Sequence, residues 1–81
     1  MKLICFTASW CKDCMLMKPI FEELNKVVGV PLEFLEFSNQ YQFDYNLKEI
    51  PTMILFRNGK EIVRKEGLSD LQGLVNLVKN N

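Results

Sequence analysis

Leu3, Ile4, Cys5 and Phe6 form an unbroken apolar run between Lys2 and Thr7, the length and density of a buried strand. From Ser9 the period changes. Cys14, Met17, Phe21, Leu24 and Val28 recur at helical spacing, with Lys12, Lys18, Glu22, Glu23 and Lys26 on the remaining faces, which predicts an amphipathic helix. Pro19 lies well inside that helix and should kink rather than end it, because the apolar period continues beyond it to the closing Val28-Gly29-Val30-Pro31. Leu32 to Phe37 alternates Phe and Leu with Glu33 and Glu36 and reads as a second strand. Ser38-Asn39 can cap a short helix running to about Leu47, with Asn46 tolerating a left-handed end. After Ile50-Pro51, Thr52 to Phe56 is a third strand, Asn58-Gly59 a tight hairpin turn and Glu61 to Glu66 the returning fourth strand. Ser69-Asp70-Leu71-Gln72 has the form of a capping box, and Leu71, Leu74, Val75 and Val78 give the helix it opens an apolar face.

The order is thus β-α-β-α-β-β-α, an α/β fold. Strand, helix and strand at the front require a right-handed crossover between parallel strands, and the hairpin adds antiparallel strands to the same sheet. The expectation is a four-stranded mixed sheet with helices on both faces. Eighty-one residues, 48% of them hydrophobic and 25% charged, suit one core and hence a single domain over residues 1–81. No repeat, linker or low-complexity tract interrupts it. Ten basic against ten acidic residues leave no net charge to recommend nucleic acid or an anionic membrane as partner. No apolar run approaches the roughly 18 residues of a membrane span, and the first residues lack the pattern of a signal peptide, so a cytoplasmic location is expected.

Three cysteines and no histidine narrow the chemistry. An odd count without a secretion signal argues against a disulfide scaffold, and a closed zinc site would need ligands this chain does not have. Any thiol chemistry must be activated by backbone dipoles, lysine or a second thiol. In Cys11-Lys12-Asp13-Cys14, two cysteines three apart at a helix start share one face and can open and close a disulfide. Cys11 meets the free N–H groups and positive dipole end that favour a thiolate, so it reads as the nucleophile. Cys14, one turn inside and facing the core, is placed to resolve the mixed disulfide. Against this redox reading stand a purely structural disulfide, worth roughly 2 kcal/mol in so small a loop, and a metal or iron–sulfur site shared between two chains. Cys5, in mid-strand, reads as a buried core residue, with a regulatory thiol as the alternative.

Phe6-Thr7-Ala8-Ser9-Trp10-Cys11-Lys12-Asp13-Cys14 resembles the strand, Trp-Cys-x-x-Cys and helix start of the thioredoxin family, and Pro19 falls at that family's kinking proline. Tyr45 to Thr52 resembles the segment leading to its cis-proline, Phe56-Arg57-Asn58-Gly59-Lys60 its hairpin, and Gly67-Leu68-Ser69 the glycine before its last helix. The likeness covers nearly the whole chain from Leu3 onward, without the family's usual N-terminal strand and helix, giving the size of a minimal thioredoxin or a glutaredoxin. It implies a protein-disulfide reductase with Trp10, Ile50, Pro51 and Gly67 on the substrate-binding surface. No bound cofactor is implied; the redox-active disulfide Cys11–Cys14 would be re-reduced by thioredoxin reductase with NADPH or by glutathione, and the protein would act as a monomer on disulfide-containing protein substrates.

The departures from the family are specific. Lys12-Asp13 replaces the usual Gly-Pro, with Lys12 favouring the Cys11 thiolate and Asp13 opposing it. The family's buried Asp falls at Cys5 and its Lys companion at about Phe34, so that proton-relay pair is absent. Glu49 and Glu66 stand where small or apolar residues are usual, which makes the docking face acidic and suited to a basic or dedicated partner. Two rival functions remain: a glutathione-dependent glutaredoxin-like enzyme, and a binding module whose thiols are incidental.

Overall fold

The computed structural model describes residues 1–81 and has the element order the sequence predicts. These are β1 (Lys2–Thr7), α1 (Lys12–Val28), β2 (Leu32–Glu36), α2 (Asn39–Tyr45), β3 (Thr52–Arg57), β4 (Lys60–Glu66) and α3 (Leu71–Lys79). The strands lie in the order β2-β1-β3-β4. β1 runs parallel to β2, as the crossover through α1 demands, and β3 is antiparallel to both β1 and β4.

Because successive side chains in a strand point to opposite faces, the apolar run of β1 serves two cores at once. Leu3 and Cys5 join Met53 and Leu55 of β3 beneath Met17, Phe21 and Leu24 of α1 and Leu74, Val75 and Val78 of α3. Ile4, Phe6 and Ile54 face the other way and pack with Leu47, Tyr41 and Tyr45 around α2. A strand covered on both sides has no polar face to present, which is why Leu3 to Phe6 carries no alternation.

The helix ends follow local chemistry. Gly29 and Asn46 close α1 and α2 in the left-handed conformation, with φ of 67° and 53°. Ser38 caps α2 through its hydroxyl, which accepts the Tyr41 N–H at 3.1 Å. At α3 the cap sits one residue later than the Ser69-x-x-Gln72 pattern predicts: Asp70 is the N-cap, and its carboxylate accepts the Gly73 N–H at 2.8 Å. A charged oxygen next to the dipole's positive end is the stronger acceptor, and the Ser69 hydroxyl turns instead to the Asp70 carbonyl. The hairpin carries one irregularity, a register shift at Leu55/Phe56 that sets both Ile62 and Val63 against the α1–α3 core. Pro19 lies inside α1, which continues past it to Val28.

Candidate active site

The parallel pairing of β1 and β2 ends with Thr7 opposite Glu36, and the chain leaving β1 turns there into α1. Cys11 is the N-cap of α1, in extended conformation, with its N–H donating to the Ala8 carbonyl at 3.1 Å. Its Sγ accepts the Cys14 N–H at 3.3 Å, so the first turn of the helix directs a free backbone donor at this sulfur. On the other side the Cys11 thiol faces the Ile50 carbonyl at 3.9 Å. Half-buried Cys11 and the 2% exposed Cys14 therefore form an outer and an inner thiol, and all three cysteines are unbonded.

Burial, followed by the hydrogen bond with Cys11, pushes the Cys14 thiol up to about 12; the backbone at Ala8 works in the opposite direction. Burial alone also pushes Cys5 well above the ordinary thiol range. Neither inner sulfur is a thiolate at neutral pH.

Each residue that the sequence pointed to can be located. Trp10 is 71% exposed beside Cys11 and packs edge-on against Phe37, ring centres 6.3 Å apart. The Ile50–Pro51 peptide is cis, and the Pro51 carbonyl accepts the Gly67 N–H at 2.8 Å. Gly67 has φ of 78°, and a side chain there would also crowd the Glu49 carboxylate, 3.3 Å from the Cβ position. Thus Ile50 is brought against Cys11, and Gly67 is tied to the same segment through Pro51. Sequence reading missed one participant. Glu36 looked like an ordinary outward position of β2, but its Oε1 accepts the Ser9 N–H at 3.2 Å and fastens the loop that carries Trp10 and Cys11. The signal was its place at the end of a strand parallel to β1.

Compared with known proteins, residues 1–80 match the sequence model of the thioredoxin family. The chain belongs to the thioredoxin family. It is 35% identical to a thioredoxin of Chlamydia trachomatis serovar D over 83 aligned positions, covering 98% of this chain and 80% of that one. A thioredoxin of Rickettsia bellii is 31% identical, with 98% and 79% covered. Among solved structures, a mutant thioredoxin from Halobacterium salinarum NRC-1 superposes with a TM-score of 0.89 at 25% identity, covering 98% of this chain and 72% of that one. This thioredoxin-family chain is accordingly a thiol–disulfide oxidoreductase of the thioredoxin type.

Its largest surface cavity, about 590 Å³, is lined by Tyr45, Arg64 and Glu66 among others and touches neither Cys11 nor Cys14. No group of three or more His, Cys, Asp or Glu is placed to hold a metal ion, and no helix is long and apolar enough to cross a membrane.

Proposed function

We propose that this protein reduces protein disulfides by dithiol exchange, with Cys11 as nucleophile and Cys14 as resolving thiol. The observation that carries this reading is the pairing of a half-buried sulfur at the helix N-cap with a buried one a single turn on, joined by the 3.3 Å contact from the Cys14 N–H. The Cys11 thiolate attacks one sulfur of the substrate disulfide, and the other substrate sulfur leaves with the bonding pair and takes up a proton. Cys14 then attacks Cys11 Sγ, loses its own proton and releases the second substrate sulfur. Two electrons have passed to the substrate, and Cys11–Cys14 is left oxidised.

The incoming chain lies across Trp10, Ile50, Pro51 and Gly67, with free backbone groups beside Cys11 pairing to it in extended form. Electrons are held in the two sulfurs, so no bound cofactor is required. Reducing equivalents come from a thioredoxin reductase and NADPH, with glutathione as the competing donor. The same reading takes the protein as a cytoplasmic monomer.

The test is an asymmetry. Cys11→Ser should abolish disulfide reduction, whereas Cys14→Ser should accumulate a covalent mixed disulfide through Cys11, identified by mass spectrometry of the linked peptides. Capture through Cys14 instead would overturn the roles. Turnover of the parent protein with thioredoxin reductase and NADPH, run beside glutathione with its own reductase, identifies the donor.

A further inference from the structure

A cleft of about 330 Å³ runs along the first turn of α1 to Cys14, and its walls include Ser9, Lys18 and Glu36. In the exchange proposed above, Cys14 must shed its proton as it attacks, yet burial and the contact with Cys11 hold that proton in place at neutral pH. Some base has to receive it. The ionisable groups around Cys14 are few: Cys11 and Asp13 on the first turn of α1, Lys18 one turn further on, Glu36 on β2, and Cys5 on the same face of the sheet. Cys11 is bonded to the substrate at that stage. Cys5 is a buried thiol that keeps its own proton. Asp13 does not line the cleft, and its charge opposes ionisation of Cys14.

Glu36 is different. Its Oε1 is held by the Ser9 N–H, its Oε2 makes no hydrogen bond within the protein, and it shares the cleft with Cys14. Lys18 borders the same space, its ammonium 5.4 Å from the centre of the Phe34 ring.

We propose that Glu36 is the proton acceptor of the resolving step, taking the Cys14 proton through solvent in this cleft. The proposal rests on Cys14 being the resolving thiol. As the S–H bond of Cys14 breaks toward Glu36, its sulfur forms the bond to Cys11 Sγ. The bond from Cys11 to the substrate sulfur breaks, that sulfur leaves with the electron pair, and the proton held by Glu36 returns to it through solvent. No other oxidant or reductant enters.

The experiment mixes each reduced protein with a disulfide-linked peptide, quenches with acid at intervals, and measures formation and collapse of the mixed disulfide by mass. Glu36→Gln keeps an oxygen for the Ser9 N–H but is no base. It should leave formation unchanged and slow collapse roughly tenfold or more at pH 7, the deficit shrinking toward about pH 10 as hydroxide takes over. Glu36→Asp should restore part of the lost rate, and Asp13→Asn should not slow collapse. Equal collapse rates in parent and Glu36→Gln at pH 7, an equal deficit at every pH, or a loss that follows Asp13→Asn instead would each overturn the role of Glu36. The Cys14→Ser protein in the same apparatus keeps the two questions apart: rapid collapse there would sink the dithiol reading itself, whatever Glu36 does.

Discussion

Cys5 and Cys14 are both buried thiols pushed toward the protonated form, and what separates them is the neighbour each one has. Cys14 has a second sulfur within reach of its own turn and a cleft at its side. Cys5 has Leu3, Met53, Leu55 and the apolar sides of α1 and α3 around it, with no exposed surface. A thiol in that setting acts as a small apolar filler. Replacing Cys5 with Ala should therefore cost on the order of 1 kcal/mol of stability by leaving a small void, read as a lower denaturation midpoint, with disulfide reduction largely retained. Loss of turnover in a folded Cys5→Ala protein would mean that the thiol participates. That Cys11 is the outer thiol and Cys14 the inner one could be read from spacing alone, because three residues at a helix start fix both side and depth. Glu36 could not, since its bond to Ser9 joins residues 27 apart and exists only once β1 and β2 pair in register.

At the level of elements, the sequence already specifies the four strands, the three helices and the hairpin, because each rests on a local period or on a turn residue whose backbone preference is intrinsic. Boundaries are less legible where two adjacent residues can do the same task. Ser69 and Asp70 are both good N-caps, and the choice between them depends on the approach from Gly67, whose left-handed φ of 78° is tied to the Pro51 carbonyl in another part of the chain. Gly73 completes the arrangement, since a Cβ there would stand 2.9 Å from the Asp70 carboxylate. Asp70→Ala should cost about 1 kcal/mol by freeing the first turn of α3, and through it the packing of Leu74, Val75 and Val78. Ser69→Ala should fall within about 0.5 kcal/mol of the parent. Thermal or urea denaturation of the two variants decides it; the opposite order would restore Ser69 as the cap.

For the molecule as a whole, the two inner thiols couple folding to pH on the alkaline side. An unfolded thiol titrates near 8.5, whereas in the folded chain Cys14 is pushed up to about 12 and Cys5 is also raised by burial. Both shifts are upward, so their contribution is fully present below the unfolded value and is lost as pH climbs toward the folded one. In that window the unfolded chain has released protons that the native state still holds, and alkali favours unfolding. The Lys2 ammonium, held protonated by Glu33, acts in the same direction at higher pH. Under reducing conditions the urea midpoint should be level with respect to these thiols up to about pH 8 and then fall, each thiol contributing at most about 1.4 kcal/mol per pH unit. Closing the Cys11–Cys14 disulfide removes Cys14 from the titration, and Cys5→Ala removes the other, so the oxidised Cys5→Ala protein should keep the shallowest slope between pH 9 and 11. An equal slope in all four forms would mean that these sulfurs do not set the alkaline limit of the fold, and that the burial of Cys14 and Cys5 leaves their protons as free to exchange as those of the unfolded chain.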